Sequence, residues 1–528
     1  MTDLGQDSFR YCDVAAIIER NHILFEKVGI QKGDKIALCG RNLSRWGATF
    51  LSIITYGAVA VPILHEFHPS QVHDIVNHSE SKLLFVGDKV WPSLKAEEMP
   101  NLKGIVSLAD FGLLHSNDET VAEVHGKLDS LFAEKFPNGL SEKDLNYHKD
   151  EAEELAIINY TSGTTSNSKG VMIPYRAIWS NCDFATNVLS HVLKAGQNML
   201  SMLPMAHMYG MSFEFIYEFS IGIHVFFLTK IASPTILLKA LKEVKPCLLI
   251  VVPLIIEKIV RKAVMPKIQT PMMQVLLKTP LVNRIVKKKI CEALTQALGG
   301  NFYEVIIGGA ALNHEVETLL HDIKFRYTVG YGATECAPII AYDDWKDHVP
   351  GSCGFNVVNQ ELRIDSSDPE NVPGEILTRG LNVMLGYYKN EEATRNTIDS
   401  EGWYHTGDLG VIDKQGHVFI KGRSKNMLLG ANGQNIYPEE IEDKVSNLPM
   451  VAECLVVQKG EKLEALIYPD PEGTKGMTEE EVAALMEKNR KEVNPHLPVY
   501  SQISSVRIMK EEFEKTPKKS IKRFLYTN

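Results

Sequence analysis

The sequence predicts an α/β protein with a large multi-layer N-terminal domain, built on mainly parallel sheets, and a small mobile α+β domain at the C-terminus. Three observations lead to this fold class. The chain has 528 residues, which is more than one ordinary core organises. Short apolar runs alternate with amphipathic helical patterns over roughly the first four hundred residues. After residue 423 the pattern changes to a helix, two strands, a second helix and a last strand.

The elements of the large domain follow from hydrophobic periodicity. A helical stripe begins near Asp13 and is ended by Gly29. Strands are predicted at KIALCG and AVAVPIL, on either side of the helical stretch RWGATFLSIITYG. The other predicted strands are KLLFVG, LAIINY, HVFFL, CLLIVV and YEVIIGG. Since strands that alternate with helices form βαβ units, most of the sheet is expected to be parallel.

The small domain is predicted from a second set of runs. Helices are expected at YPEEIEDKVSNL and TEEEVAALMEKNRKEV, and strands at ECLVVQKG, KLEALIYPD and ISSVRIMK. About a hundred residues are enough for a small domain with its own core. We therefore predict one domain over residues 1–422 and another over 423–528, with a hinge near Lys425.

Composition and charge exclude several function classes. The net charge of −10 argues against a nucleic-acid binder, because phosphate contacts need a basic face. The eight cysteines are scattered singly, without a C-x-x-C pair or a zinc-like cluster. The N-terminus lacks a signal pattern, and no apolar run approaches the roughly 18 to 20 residues of a spanning helix. The predicted location is the cytoplasm, with a peripheral position at the inner membrane surface left open.

One loop carries the first functional signal. The stretch YTSGTTSNSKGVMI combines glycines and hydroxyl side chains with Lys169, a composition that suits an anionic polyphosphate. The Walker template fails here, because Ser168 and Gly170 stand where it requires a glycine and a hydroxyl residue. Taken alone, the loop is equally typical of a flexible Ser/Gly surface turn.

Seven further motifs follow this loop along the chain. They are LPMAHMYG, GGAAL, GYGATE, GEI, GWYHTGDLG, IKGRSKNM and NIYPEEIE. In this order they resemble the adenylate-forming superfamily of acyl-CoA synthetases, luciferases and peptide-synthetase adenylation domains. The segments KPCLLIVVPLIIEKI, NIYPEEIE and KTPKKSIKRFLY are most similar to the long-chain fatty acyl-CoA synthetases. Relatives usually have a further strand pair before the first helix, so a shortened N-terminus is expected.

The resemblance implies an acyl-CoA synthetase-like fold and a two-step ligase reaction. MgATP and a carboxylic acid, expected to be a medium- to long-chain fatty acid, would give acyl-AMP and pyrophosphate. The thiol of coenzyme A would then displace AMP, while the small domain rotates between the half-reactions. Two alternatives stay open: a fatty acyl-AMP ligase that serves an acyl carrier protein, and a pseudoenzyme that binds nucleotide or acyl groups. A homodimer also stays open.

The resemblance also implies the residues of the nucleotide site. Glu335 would ligate Mg²⁺, which needs only one or two carboxylates beside phosphate oxygens. Thr334 would bond the α-phosphate, Tyr331 would stack on adenine, and Asp408 with Arg423 would clamp the ribose. The implied site further includes Thr161, Ser162, Gly163, Thr164, Thr165, Lys169, Gly309, Ala310, Ala311, Gly332 and Ala333.

Three more roles come from the resemblance. His207 would lie beside the carboxylate and the thiol entry path, although a lone histidine on an apolar segment is as often a core residue. Lys425 matches the hinge position, and Gly433 matches the glycine that lets the pantetheine arm pass close to the main chain. For the last two, a solvated lysine and a turn glycine remain the alternatives.

Two departures from the family pattern affect the expected chemistry. The phosphate loop lacks the usual glycine and proline before Lys169, which predicts a more flexible free loop and weaker nucleotide binding. Ser520 stands where relatives have the lysine that stabilises charge during adenylation. We expect the neighbouring Lys519 to take this catalytic role, whereas in an extended chain only Lys518 would share the side of Ser520.

Two segments bear on the substrate and the membrane. The apolar tract Leu248–Ile256, with Met211–Phe219, is expected to wall an acyl tunnel, and MSFEF lacks the aspartate of amino-acid-activating domains. Ile255–Ile290 carries nine basic residues and one acid, Glu257. This excess predicts either an amphipathic surface for anionic lipid or solvated helix faces.

Overall fold

The computed structural model describes residues 1–161, 168–230, 233–430, 434–460, 462–516 and 521–527. The first elements of the large domain are β1 (Thr2–Asp3), α1 (Tyr11–Lys27), β2 (Lys35–Cys39), α2 (Ser44–Tyr56), β3 (Val59–Ile63), α3 (Pro69–Ser79), β4 (Leu83–Val86), β5 (Gly104–Ser107), β6 (Leu113–Ser116), α4 (Glu119–Gly126), α5 (Leu128–Lys135), β7 (Leu155–Thr161), β8 (Lys169–Pro174) and α6 (Tyr175–Leu189).

The next elements alternate short strands with helices. They are β9 (Asn198–Ser201), α7 (Met208–Met211), α8 (Tyr217–Ser220), β10 (His224–Phe227), α9 (Pro234–Val244), β11 (Leu249–Val251), α10 (Pro253–Ala263), α11 (Met265–Ile268), α12 (Pro271–Lys278), α13 (Val282–Ala297), β12 (Val305–Ile307), α14 (His314–Asp322) and β13 (Tyr327–Val329). A π-helical turn, Ser212–Ile216, joins α7 to α8.

The last part of the large domain is mostly strand. It contains β14 (Tyr331–Gly332), β15 (Ile339–Tyr342), β16 (Phe355–Asn356), β17 (Gln360–Asp365), β18 (Gly374–Gly380), β19 (Gly386–Tyr387), α15 (Glu391–Arg395), β20 (Tyr404–Ile412) and β21 (Val418–Arg423). The small domain then has β22 (Leu428–Leu429), β23 (Asn435–Ile436), α16 (Pro438–Ser446), β24 (Val451–Lys459), β25 (Lys462–Pro469), α17 (Glu479–Val493) and β26 (Ile503–Ile508).

The central sheet of the large domain is eight-stranded, in the order β19-β8-β7-β3-β2-β4-β5-β6. Strands β7, β3, β2, β4 and β5 run parallel, whereas β6, β8 and β19 run antiparallel to their neighbours. Every residue of β3 and β4 is buried, which is typical of parallel strands covered on both faces. Two further sheets, β1-β10-β9 and β11-β12-β13, are parallel throughout.

The predicted strands of the first three hundred or so residues all form, because continuous apolar runs bounded by turns mark buried strands. The first helix begins at Tyr11 rather than near Asp13. Asp13 lies in its first turn, where its carboxylate accepts a hydrogen bond from the backbone N–H of Arg10 (2.8 Å). The helix dipole favours an acidic residue anywhere in the first turn. The position of Asp13 therefore locates the helix start only to within a few residues.

A four-stranded antiparallel sheet, β17-β18-β20-β21, lies near the end of the large domain and is not among the predicted elements. Its strands have no continuous apolar run: β17, for example, alternates exposed and partly buried residues. Strands with one face toward solvent give this weaker pattern. The sheet matters for function because β20 and β21 carry two of the predicted nucleotide residues.

The small domain has its own core and also contacts the large domain. Strands β24 and β25 are antiparallel and β26 joins them in parallel, while α16 and α17 supply buried side chains. Asp443 of α16 accepts a hydrogen bond from the Asn313 side chain (3.2 Å) in the large domain. Arg261 donates to the Asn447 side chain (3.0 Å). Of the helices in the described ranges, none is long and apolar enough to cross a membrane.

Candidate active site

The predicted phosphate loop connects two antiparallel strands of the central sheet. Thr161, at the end of β7, lies directly opposite Lys169, at the start of β8. Ser162, Gly163, Thr164 and Thr165 lie outside the described residues. The structure therefore describes the two ends of the loop, and Lys169, which is predicted to hold phosphate, lies at one of them.

Glu335 and Thr334 lie in the turn Thr334–Cys336, which follows β14. Asn181 of α6 fixes this turn: its amide group donates to the carbonyl of Cys336 (3.2 Å) and its Oδ1 accepts from the backbone N–H of Ile339 (3.1 Å). Thr334 is buried, and Glu335 is partly exposed. The turn thus presents a carboxylate from a backbone that another element holds in place.

A tyrosine joins the phosphate-loop lysine to this carboxylate. The hydroxyl of Tyr387, on β19, donates to Glu335 Oε1 (2.9 Å), and Lys169 Nζ lies 4.6 Å from the centre of the Tyr387 ring. Burial and the nearby Glu335 raise the pKa of the Tyr387 hydroxyl, so the hydroxyl stays protonated and donates. Two motifs that are far apart in sequence therefore meet at one aromatic ring.

The motif LPMAHMYG reaches the same region through Asn159 on β7. The Asn159 side-chain amide donates to the carbonyl of Ala206 (2.8 Å), and both residues are buried. His207 follows directly and precedes α7, with its backbone N–H bonded to the carbonyl of Pro204 (2.9 Å). The predicted histidine is thus next to a residue that is tied to the strand leading into the phosphate loop.

The predicted adenine and ribose residues form one hydrogen-bonded group. The Tyr331 hydroxyl donates to Asp408 Oδ2 (2.6 Å), and Arg423 Nε lies 2.7 Å from Asp408 Oδ1. Asp408 and Arg423 are also directly opposite each other on β20 and β21. Burial raises the pKa of Asp408, although Arg423 and the Tyr331 hydroxyl oppose the shift. The carboxylate is therefore positioned on both oxygens by neighbouring side chains.

An apolar cavity of about 70 Å³ adjoins this group. Part of its lining consists of Gly308, Gly309, Tyr331 and Gly332, from the two predicted adenine motifs. Gly330 and Pro338 also line it, and the rest is aliphatic and aromatic, from in or beside α6, α7, β11, β12 and β15: Phe184, Val188, Leu189, Tyr209, Phe213, Leu248, Ile250, Ile306, Ile339 and Tyr342. The cavity therefore joins the predicted nucleotide wall to an apolar interior.

Aromatic rings line much of the cavity, and the hydroxyls of two lining tyrosines are hydrogen-bonded to protein groups. Phe184 lies edge-on to Phe213 (ring centres 6.0 Å apart) and to Tyr342 (5.2 Å). The Tyr342 hydroxyl donates to Glu304 (2.5 Å), and the Tyr209 hydroxyl donates to the carbonyl of Ile306 (3.2 Å). Because both hydroxyls are already bonded to protein groups, the surface offered to a ligand is apolar.

On the side of the cavity formed by the predicted adenine motifs, there is no room for larger side chains. A Cβ atom at Gly332 would lie 2.2 Å from the carbonyl oxygen of Pro338, and one at Gly308 would lie 3.1 Å from the Tyr209 ring. Gly309 has a φ of 89°, which a residue with a side chain rarely adopts. Ala310 and Ala311 follow it and are exposed, so this wall presents little more than backbone.

The predicted hinge lies between β21 and α16. Lys425 is exposed in the turn Ser424–Asn426. The Asn426 side-chain amide donates to Glu439 Oε1 (2.7 Å) at the start of α16. Gly422, with a φ of 154°, leaves room for the same glutamate, because a Cβ there would lie 2.8 Å from Glu439 Oε2.

Gly433 and Lys519, with the neighbouring Lys518 and Ser520, lie outside the described residues. The chain on either side of the predicted catalytic lysine belongs to the small domain. Lys515 and Ile521 form an antiparallel bridge. Arg523 donates to both carboxylate oxygens of Glu442 (2.8 and 2.7 Å) and to the carbonyl of Val456 (3.0 Å).

The residues around Glu335 fit a magnesium ion that shares its ligands with a nucleotide. Throughout the described ranges, no group of three or more His, Cys, Asp or Glu side chains could hold a metal. Mg²⁺ usually binds one or two carboxylates and completes its octahedron with phosphate oxygens and water. Tyr387 bonds one oxygen of Glu335, and the other oxygen would serve as the protein ligand.

Several residues of this region are not among the predicted site residues. Asn159 lies in the predicted strand LAIINY and Tyr209 in the motif LPMAHMYG, but neither was assigned a role. Tyr387 and Phe184 lie in no recognised motif, and the tunnel prediction supplies only Leu248, Ile250 and Phe213 of the cavity lining. A buried asparagine or tyrosine beside glycine-rich motifs is the signal that would have identified the first two.

Comparison with known proteins gives a consistent result. Residues 11–388 match a family model described as AMP-binding enzyme, and residues 425–527 match its C-terminal domain. A long-chain-fatty-acid–CoA ligase of Mycobacterium bovis is 27% identical over 477 residues, which cover 85% of this chain and 75% of that protein. A long-chain-fatty-acid–CoA ligase of Escherichia coli O157:H7 is 26% identical over 453 residues, with 82% and 75% covered.

Solved structures share the fold at lower sequence identity. An anthranilate CoA ligase in complex with anthranoyl-AMP superimposes with a TM-score of 0.76 at 20% identity, covering 97% of this chain and 90% of that one. The ATP-bound MatB of Rhodopseudomonas palustris gives a TM-score of 0.75 at 20% identity, with 98% and 93% covered. The predicted fold class, a large α/β domain with a smaller C-terminal domain, is confirmed.

Proposed function

This chain belongs to the AMP-binding enzyme family, and we propose that it activates a fatty acid with ATP and transfers the acyl group to coenzyme A. The carboxylate would attack the α-phosphorus of ATP, so that acyl-AMP forms and pyrophosphate leaves. The thiolate of coenzyme A would then attack the acyl carbon, so that the thioester forms and AMP leaves. Relatives at 26–27% identity are long-chain-fatty-acid–CoA ligases, which supports both half-reactions.

One observation carries the proposal most strongly. Lys169 and Glu335, the proposed phosphate-binding cation and magnesium-binding carboxylate, both contact Tyr387: the ammonium lies over the ring, and the carboxylate accepts from the hydroxyl. A polyphosphate with bound Mg²⁺ needs both kinds of group within a few ångströms. The apolar cavity begins at the same turn region, which would place an acyl chain next to the reacting phosphate.

The other residues are given roles from their positions or, for Lys519 and Gly433, from the resemblance of their motifs to the family. Tyr331 and the backbone of Gly309 to Ala311 would enclose adenine, and Thr334 would bond the α-phosphate. The Asp408 carboxylate, held by Tyr331 and Arg423, would accept from the ribose hydroxyls. We assign Lys519 to the charge that develops during adenylation, and Gly433 to the passage of the pantetheine arm.

His207 and Lys425 complete the proposal. The substrate carboxylate is already ionised at neutral pH, so His207 would orient the acid and shape the thiol path rather than act as a base. Lys425 would mark the hinge about which the small domain turns, since a few loop residues can absorb such a rotation. The contacts of Asp443 and Asn447 with the large domain would then be broken and remade during the cycle.

The cavity supports an aliphatic acid rather than a polar one. Its lining offers no side-chain charge among the described residues, and its hydroxyls are bonded elsewhere. A volume of about 70 Å³ holds about five water-sized groups, which suits a medium-length chain. A longer chain would require the Phe184, Phe213 and Tyr342 rings to turn aside, so we propose that this aromatic cluster sets the preferred length.

The test is a pyrophosphate-release screen over carboxylic acids from acetate to oleate, with MgATP and with or without coenzyme A. We expect release that depends on the acid, rises from acetate to medium-chain acids, and is accompanied by acyl-CoA when the thiol is present. A Glu361→Gln variant, altered on the exposed side of β17, serves as the matched control for site variants.

Other results would decide between the remaining functions. Thioester formed only with an acyl carrier protein would identify an acyl-AMP ligase. Nucleotide and acid binding without any pyrophosphate release would identify a pseudoenzyme, and either result would contradict the proposed reaction.

A further inference from the structure

Helices α12 and α13 carry an exposed apolar surface that the proposed function does not use. The two helices pack against each other. On their outer side, Met272 is 74% exposed, Val275 65%, Leu281 78% and Ile285 59%. Residues three or four apart on a helix are neighbours on one face, so Met272 and Val275 form a pair on α12, while Ile285 lies on α13 and Leu281 directly before it. Clustered apolar side chains at this exposure mark an interaction surface more often than isolated ones do.

The backbone at Leu281 adds to this observation. Leu281 lies between α12 and α13 and has a φ of 68°, a conformation that is costly for a leucine. Burial normally compensates such strain, but this side chain is among the most exposed apolar side chains that the structure describes. A strained residue that gains no packing within its own chain favours a role outside it.

Basic side chains alternate with the apolar ones along this part of the chain. The segment 255–290 contains nine basic residues and one acid, a net charge of +8 in a chain whose total is −10. The acid, Glu257, is turned toward the protein, where it accepts a hydrogen bond from the backbone N–H of Asn313 (3.0 Å). Lys287 pairs with Asp322 (3.1 Å) and Lys288 with Glu292 (3.8 Å), whereas Lys278, Arg284 and Lys289 have no ion-pair partner among the described residues. The local charge is therefore largely uncompensated.

We propose that this surface binds the headgroup region of an anionic lipid bilayer. The binding surface is defined by Met272, Val275, Leu281, Ile285, Lys278, Arg284 and Lys289. Apolar side chains would enter the boundary between headgroups and acyl chains, while the lysines and arginine would contact lipid phosphates, as in helices that lie in the membrane plane. Binding of this kind needs no spanning helix.

The charge pattern disfavours the other occupants. A two-fold contact between copies would bring two segments of charge +8 together, and they would repel each other. A nucleic acid would contact the basic side chains, but it would leave the four apolar side chains without a partner. A bilayer that is anionic at its headgroups and apolar just below them satisfies both kinds of residue.

Sedimentation with lipid vesicles tests the proposal on the full chain. One set of vesicles contains phosphatidylcholine alone, and the other contains phosphatidylcholine with phosphatidylglycerol. We expect the wild type to sediment with the anionic vesicles, and the bound fraction to fall as salt is raised because exposed charges are screened. A Lys278→Gln/Arg284→Gln/Lys289→Gln variant should bind roughly a hundredfold more weakly, from the effect of three basic residues near a charged surface.

Two further variants separate the apolar and charge contributions. Leu281→Ser/Ile285→Ser should also lose binding, since it removes the inserted side chains and leaves the charge unchanged. Lys95→Gln/Lys143→Gln/Lys149→Gln neutralises the same number of exposed lysines elsewhere and should bind like the wild type. Because all these residues lie at the surface, thermal unfolding should be nearly unchanged in every variant.

A fluorescence reporter gives an independent readout. Tryptophan at position 281, introduced as Leu281→Trp, should shift its emission to shorter wavelength with anionic vesicles and not with neutral ones. The proposal is overturned if the wild type binds neither kind of vesicle, or binds both equally. It is also overturned if the two α12–α13 variants change only the oligomeric state in gel filtration, which would identify a contact between copies.

Discussion

The two sides of the candidate site are built on different principles. On the nucleotide side, polar side chains are fixed by hydrogen bonds from other elements: Tyr387 bonds Glu335, and Tyr331 bonds Asp408. On the acyl side, aliphatic and aromatic side chains of several elements form a cavity and orient one another mainly by packing, with two tyrosine hydroxyls bonded outside it. The first arrangement requires particular atoms, whereas the second requires only volume and apolarity.

This difference separates chemistry from selectivity. Replacing a hydrogen-bonded carboxylate by an apolar side chain leaves its partner unsatisfied, and replacing it by an amide removes its charge. A packed wall tolerates exchanges that conserve its volume. Changes on the nucleotide side should therefore remove activity for every acid, and changes on the acyl side should redistribute activity among acids.

The largest effect is expected from Glu335→Gln. The amide still accepts the Tyr387 hydroxyl but cannot ligate Mg²⁺ as a carboxylate does. Loss of one preorganised electrostatic contact typically lowers the rate about a hundredfold to a thousandfold. Acid-dependent ATP–pyrophosphate exchange should fall by this amount for short and long acids alike. Exchange that stays near the level of the Glu361→Gln control would show that Glu335 has no part in the chemistry.

A loss of similar size is expected from Lys519→Ala, and Lys518→Ala should have little effect. The reason is that Lys519, next to Ser520, is the cation assigned to the charge that develops at the α-phosphate. The measurement is adenylation by pyrophosphate exchange, beside thioester formation from supplied acyl-AMP, which should change little in either variant. Equal exchange activity in the two variants would refute the assignment.

The free energy of unfolding should depend on pH through one buried histidine. His348 is buried between Asp343 (Nδ1 to Oδ1, 3.2 Å) and Glu317 (Nε2 to Oε1, 3.3 Å), with its ring edge-on to Tyr327 on β13. Burial acts to lower the pKa of His348, but hydrogen bonds and charge from both carboxylates outweigh it and raise the pKa to about 9. The folded state therefore holds this proton more tightly than the unfolded state does.

Stability should therefore fall as pH rises. The stabilisation from protonated His348 is complete below the ordinary pKa of about 6.5 and is lost as pH rises through about 9. It amounts to roughly 3 kcal/mol in the free energy of unfolding. Denaturant unfolding should show this loss between neutral and alkaline pH in the wild type and in a control, His115→Gln, altered in the exposed pair with Asn117. A His348→Gln variant with the same pH dependence would contradict the account.

The smallest effect is expected on the acyl side. Phe184→Leu removes an aromatic edge from the cavity and keeps an apolar side chain, so longer acids should fit better. Each accommodated methylene contributes about 0.8 kcal/mol, or roughly fourfold in kcat/KM. The ratio of kcat/KM for longer over shorter acids should rise, with the KM for ATP unchanged. Phe302→Leu makes the same change in a buried ring outside the cavity, and an equal shift in that variant would refute the assignment.

The same contrast explains what the sequence could predict. The predicted nucleotide residues lie in short motifs with glycines and fixed spacing, so Lys169, Tyr331, Glu335 and Asp408 could be proposed before their contacts were known. Their partners could not all be identified, because Tyr387 reaches Glu335 through a strand pairing that no local pattern reports. Likewise β17 was not predicted, since one solvated face hides the apolar period.

The cavity was predicted least well. Its lining comes from side chains that are scattered between Phe184 and Tyr342, and each of them resembles an ordinary core residue in sequence. Of the segment Met211–Phe219, only Phe213 reaches the cavity, because the remaining residues of that segment face other parts of the fold. Which core residues border a void depends on tertiary packing, and periodicity alone carries no information about it.

The most direct test of the central claim is mass spectrometry of the reaction products. The protein is incubated with MgATP and a medium-chain fatty acid, first without and then with coenzyme A, and the Glu335→Gln variant is treated in parallel. We predict that acyl-AMP accumulates in the first reaction and is converted to acyl-CoA and AMP in the second, and that the variant forms almost none. Absence of acyl-AMP from the wild type, with ATP and acid bound but unchanged, would contradict the claim that these two motifs form a working adenylation site.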